Sequence, residues 1–135
     1  MAIDLLSSHS PIIRNIAGLL SLTAIAVGTN IFFLNASLVS RIFRIEPPSD
    51  THNRKTYDAL CEYVAVREYL LAGANIVAWY SGQPKAQGVV MLLWAGMGIG
   101  DGIVLNKLHG VNMLKARPFA LILAALGSVL MGWFE

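Results

Sequence analysis

The sequence predicts an all-α fold, an integral membrane antiparallel four-helix bundle, and three observations lead to it. Of 135 residues, 56% are hydrophobic and only 13% charged, about half the roughly 25% charge of an ordinary soluble domain. The mean hydropathy is +0.60. The apolar residues gather into four segments of roughly bilayer length, joined by short polar stretches. A chain of this length makes one compact domain, residues 1–135, with no separate soluble module.

The first segment runs from about Ile12 to Leu34 and is opened by Ser10 and Pro11, which suit an N-cap and a first helical turn. It is too long for the apolar core of a signal peptide and lacks preceding basic residues, so it reads as a membrane helix. Ser37 to Ile45 places apolar and basic residues on different faces and predicts a short interfacial helix. Pro47 and Pro48 then break the chain, and the polar stretch to Thr56 reads as the longest exposed loop. The second membrane helix spans roughly Tyr57 to Tyr80, with Asp58 and Glu62 in its opening turns, where carboxylates complement the helix dipole. A turn at Ser81-Gly82-Gln83-Pro84 leads to a third helix, about Ala86 to Leu105, and Lys107 to Lys115 connect it to a fourth, about Arg117 to Trp133. Such short turns force neighbouring helices to be antiparallel.

Basic residues set the orientation. Arg41, Arg44, Arg54, Lys55, Lys107, Lys115 and Arg117 fall on the side of the first and third loops, against Arg14 and Lys85 on the other. Seven against two places those loops in the cytoplasm and both termini opposite. The Asn35-Ala36-Ser37 sequon would then lie at the cytoplasmic edge, where it is not glycosylated.

Composition also excludes functions. A net charge of +2 spread over loops does not make the basic stripe that nucleic-acid binding needs. The single Cys61 allows no intrachain disulfide, no Cys or His pair has zinc-like spacing, and no ATP, NAD, flavin or haem motif is present. No cofactor and no metal are expected.

Arg67, Glu68 and Asp101 carry the functional signal, because each lies well inside an apolar run. A charge near the centre of a membrane helix costs on the order of 2.5–3.5 kcal/mol, and such residues usually face a bundle interior or a wet cavity. Counted from the cytoplasmic ends, Arg67 and Glu68 lie about 15 Å deep and Asp101 about 9 Å, at 1.5 Å per residue. The guanidinium fork pairs bidentately with a carboxylate, and two acids offer more acceptor capacity than one guanidinium fills. A polar stripe of Tyr57, Cys61, Glu68, Asn75 and Trp79, with Arg67 and Tyr63 beside it, should face the other helices. Gly96/Gly100 and Gly98/Gly102 fit close helix packing or leave room for a ligand beside Asp101.

Each feature has a structural reading as well. The charges can be a salt-bridge network that fixes helix register. Asn30 and Asn75 can bond other helices, Trp79, Trp94 and Trp133 can anchor at the interface, and Cys61 can be a small buried hydrophobe. His109, before Gly110, fits helix capping better than proton transfer. Trp94 sits deep enough to line a pocket instead.

Arg67-Glu68-Tyr69, Gly73, Gly82-Gln83-Pro84, Ala86-Gln87-Gly88, Gly100-Asp101-Gly102 and His109-Gly110 together resemble the small DoxX-like four-helix membrane proteins long filed as a domain of unknown function. The resemblance covers about Tyr57 to Gly110. Some fungal members look like membrane enzymes of polyketide pathways that hydrolyse or cyclise epoxides. The resemblance implies a lipophilic small-molecule substrate, a location in the endoplasmic reticulum membrane with lipid as neighbour, and Arg67, Glu68, Asp101 and His109 as site residues.

Epoxide opening needs an acid for the leaving oxygen and a base for water or an internal hydroxyl, contributions of roughly 10²–10⁴-fold each. Two carboxyls in unequal surroundings around one arginine can divide those roles. Asp101 and Glu68 are the expected acid/base pair, with Arg67 holding them and Tyr63, Asn75, Trp94, His109 and Asn30 lining the substrate site. A proton-coupled carrier, which would need a homo-oligomer to build its path, and a non-catalytic scaffold or assembly protein are the alternatives.

Overall fold

The computed structural model describes residues 7–34, 40–41, 45–110 and 118–135, and among them it is all-helical. Four α-helices follow one another: α1 (Pro11–Thr29), α2 (Thr51–Tyr80), α3 (Pro84–His109) and α4 (Pro118–Leu130). A π-helical turn, Asn30–Leu34, continues α1. The predicted interfacial helix and the sequon lie largely outside the described residues, as does most of the connection to α4.

Local chemistry fixes the ends. Pro11 opens α1, and the Ser10 carbonyl accepts the first helical bond from Arg14 N–H. The predicted loop up to Thr56 is corrected: α2 begins at Thr51, because Asp50 caps it by accepting the Asn53 backbone N–H at 2.9 Å. Asp58 is therefore not a first-turn residue. It pairs with Arg54 one turn earlier, at 3.1 Å. At the other end of α2, Gln83 N–H donates to the Ala78 carbonyl and Gly82 N–H to that of Trp79, the two bonds of a Schellman ending. Gly82 adopts φ 70°, a left-handed conformation that a side chain would strain. The third helix is longer than the predicted Ala86–Leu105: Pro84, read as part of the turn, is its first residue, and it runs to His109 before Gly110 ends it at φ 64°. The fourth helix stops at Leu130 rather than Trp133, since Gly132 makes a second Schellman ending.

The residues cluster in two compact units, one of Met1–Leu20 with Ala74–Glu135 and one of Ser21–Gly73. In the first, α3 and α4 run antiparallel, with Gly98 against Ala120 and Gly88 against Gly127. At the second of these points the backbones nearly touch: a Cβ on Gly88 would lie 3.0 Å from the Gly127 oxygen. Gly96 and Gly100 face open space, whereas Gly98 meets Ala120 and Gly102 is buried. In the second unit, Ile31, Tyr57, Cys61 and Ala65 form a buried cluster with Val64 and Tyr69 packed on it.

Burial along α1 and α2 is inverted relative to a water-soluble core: the buried positions there are largely small or polar, among them Ala17, Ala24, Ala65, Ala72, Ser21 and Asn75, whereas α3 and α4 bury Met91, Trp94, Leu105, Leu123 and Leu130. Large apolar residues point outward: on α2, Leu60, Tyr63, Val66, Leu70 and Val77 are between 44% and 70% exposed. Small residues at helix contacts and bulky ones outside suit a lipid surround. Two described stretches, Pro11–Phe33 and Pro84–His109, are long and apolar enough to cross a bilayer, which supports membrane association. Thr51–Tyr80 is not among them, its apolar face being interrupted by charge, and Pro118–Leu130 is shorter, at 13 residues.

Candidate functional site

Inward positions on α2 recur at alternating steps of four and three: Cys61, Ala65, Ala72 and Asn75 are buried, and Glu68 among them is half-buried. This is the spacing of a helix seam, and Glu68 occupies one of its positions between two fully buried alanines. Arg67 lies about 100° around the helix from it. Its Nη2 donates to Glu68 Oε1 at 3.2 Å, and the two side chains keep only 20% and 15% of their exposure. The predicted stripe faces inward as expected, with Tyr57, Cys61 and Asn75 buried and Glu68 and Trp79 half-buried.

Beside this pair lies a hydroxyl chain that sequence reasoning missed. Tyr69 Oη donates to Thr29 Oγ1 at 2.8 Å, and Thr29 Oγ1 donates to the Ile25 carbonyl at 2.8 Å. Gly28 makes room for it. A Cβ built there would meet the Ala65 carbonyl oxygen at 3.4 Å and both Glu68 Cβ and Tyr69 Cε1 at 3.6 Å. Forty residues separate the two hydroxyls in sequence, so no local motif announces them. Asn30, expected at the substrate site, is exposed and opens the π turn next to Thr29.

The other unit holds a second polar cluster, of which only the interhelical bonding of Asn75 was foreseen. Asn75, with no solvent exposure, donates to the Ala17 carbonyl at 2.8 Å, and Trp79 Nε1 donates to Asn15 Oδ1 at 3.1 Å. Arg14 Nη2 reaches the Trp79 carbonyl at 3.2 Å, placing a cation at the end of α2 where the dipole favours it. Gln87, fully buried, donates to the Arg14 carbonyl at 3.0 Å. Arg14 entered the sequence reading only as a flanking charge and Gln87 only within the Ala86-Gln87-Gly88 stretch, so neither was read as a group bridging helices. These bonds join α1 to the end of α2 and the start of α3.

Asp101 belongs to this unit and is half-buried on α3. Trp94 is buried, at 6% exposure. Tyr63, expected beside the charges, is 67% exposed on the outward face of α2. His109 is the exposed last residue of α3, ahead of Gly110 at φ 64°, so its position is that of a helix end. A shallow apolar groove of about 490 Å³ runs along α3 past Val89, Leu92, Leu93, Gly96 and Met97, and Asp101 and Trp94 are not in its lining. Among the described residues no three His, Cys, Asp or Glu side chains group as metal ligands.

Outside the apolar segments two carboxyls are tuned by hydrogen bonds. Asp50 is held below the usual carboxylate range by the Asn53 backbone N–H and then by its side-chain amide. Glu135 is lowered by the Ser8 backbone N–H, with the Ser7 hydroxyl also donating to it.

Residues 21–134 match the family described as a domain of unknown function (DUF4267). No curated protein and no solved structure matches the chain.

Proposed function

The chain belongs to the DUF4267 family, and we propose that it is an integral membrane enzyme that opens an epoxide on a lipophilic, polyketide-like substrate by acid/base catalysis, without a cofactor. The observation that carries this reading is the Arg67–Glu68 ion pair on the inward seam of α2, largely withdrawn from solvent. Charge in such a place is costly and tends to be kept for function. The burial along α1 and α2 supports the membrane setting. A four-span antiparallel bundle in the endoplasmic reticulum, with its first and third loops cytoplasmic on the count of basic residues, is part of the same proposal.

In this reading Glu68 is the base and Arg67 its counter-charge. Asp101 is the acid, on the sequence argument that it is the other carboxylate inside an apolar run. DoxX-like proteins and the fungal epoxide-opening enzymes they resemble remain the family comparison we favour. Glu68→Gln and Asp101→Asn, purified in detergent, test it. Each should lower epoxide turnover by about 10²-fold or more, measured per folded molecule. Activity that falls only in step with the amount of folded protein would overturn the enzymatic reading.

One observation favours a scaffold as the second reading. Arg14, Asn75 and Gln87 are all bonded to backbone carbonyls of neighbouring helices, so this chain does use polar side chains for assembly.

A further inference from the structure

Tyr69 carries an inference that rests on the proposed activity and refines it. Its single proton goes to Thr29 Oγ1, and the proton of Thr29 goes to the Ile25 carbonyl. With both donors committed, the Tyr69 oxygen can only accept a further hydrogen bond. Ionised Glu68 is likewise an acceptor only. The two residues flank Gly28, where a Cβ would be 3.6 Å from Glu68 Cβ and 3.6 Å from Tyr69 Cε1. The Thr29 end of this chain of bonds sits where α1 passes into its π turn, and such turns gather at functional sites.

An alcohol has one hydrogen to donate and a water molecule has two. We propose that Glu68 and Tyr69 together hold the attacking water, one hydrogen on each, so that the reaction is hydrolysis to a diol rather than closure by a hydroxyl of the substrate. The water oxygen forms a bond to an epoxide carbon as the carbon–oxygen bond of the ring breaks. One water proton passes to Glu68, and the epoxide oxygen takes a proton from a carboxylic acid. Water and epoxide sum to the diol, with no oxidation or reduction.

The test uses the full chain in detergent micelles and the epoxide of dodec-4-en-1-ol, which can either add water or close to a tetrahydrofuran through its own hydroxyl. In ¹⁸O-water the parent protein should give mainly the ring-opened triol with one label. Tyr69→Phe should shift the ratio toward the cyclic ether by about tenfold, the loss of one orienting hydrogen bond. Thr29→Val, which frees the phenol proton, should move it the same way, and Thr29→Ser should keep the parent ratio. The Thr29 pair decides the matter if Tyr69→Phe does not fold. A cyclic ether as the main product of the parent, or a ratio that none of these variants moves, overturns the water-holding role and leaves the proposed activity standing. No conversion of the epoxide by folded parent protein overturns both.

Discussion

Asn75 on α2 donates its side-chain amide to the backbone carbonyl of Ala17 on α1, 2.8 Å away and out of reach of solvent. The Ala17 oxygen lies within a helix, so the bond ties one helix to the backbone of another. Asn75→Ala removes it, and interhelical bonds in membrane proteins are worth about 0.6–1.7 kcal/mol. The variant should unfold earlier on heating in detergent, by that order of free energy. An unchanged unfolding temperature would show that the bond adds nothing.

A Cβ on Gly18 would run into the indole of Trp79, whose ring nitrogen is fastened to Asn15. The ring is rigid and tethered, so it cannot yield cheaply. Gly18→Ala should destabilise by about 1–3 kcal/mol, the usual cost of overpacking. Trp79→Leu in the same chain should recover part of that loss, which a double-mutant cycle would read directly.

The Arg67–Glu68 pair should behave asymmetrically under deletion. Arg67→Leu removes the cation bonded to a largely withdrawn carboxylate on the inward seam and should cost about 3–5 kcal/mol. Arg67→Leu with Glu68→Leu should cost less than Arg67→Leu alone. Equal losses for the single and double variants would mean that the two side chains are not energetically coupled.

The start of α2 should fray in acid. The Asp50 carboxyl is lowered on folding, from an ordinary value of 3.8, by the bonds it accepts from Asn53. Its contribution is therefore present above that ordinary value and is lost as pH falls through the lower, folded one. Amide protection at Asn53 and Arg54 should drop in that window, while Asp50→Asn, which caps without a charge, should show no such pH dependence. A protection profile that is flat with pH in the parent would remove Asp50 as the cap.

The helices were legible wherever sequence and backbone chemistry coincide. Pro11, Pro84, Gly82 and Gly110 mark real ends because a missing N–H or a left-handed residue has the same meaning in any surroundings. Asp50 was missed because apolar periodicity shows where a helix begins to bury residues, and α2 starts to coil six residues earlier. The inward stripe of α2 was readable from its spacing, including the place of Glu68 on it. Tyr63 was not, since a tyrosine beside charges is compatible with either face, and the backbone turned it outward. The Tyr69–Thr29 bond and the Arg14 and Gln87 contacts depend on which residues of distant segments meet, and that is a property of register between helices rather than of any one of them.

The inverted burial has a consequence for temperature. A water-soluble core is held by the release of water from apolar surface, a force that fades on cooling. Here the inward seams of α1 and α2 are lined mainly by alanine, glycine, serine and a few polar groups, while the bulky chains lie outside. In a bilayer, cohesion of such helices comes from close contact and hydrogen bonds between backbones and small side chains. Chilling would not loosen contacts of that kind, and the heat-capacity change on separating these helices within lipid should be small, because little apolar surface passes from protein to water.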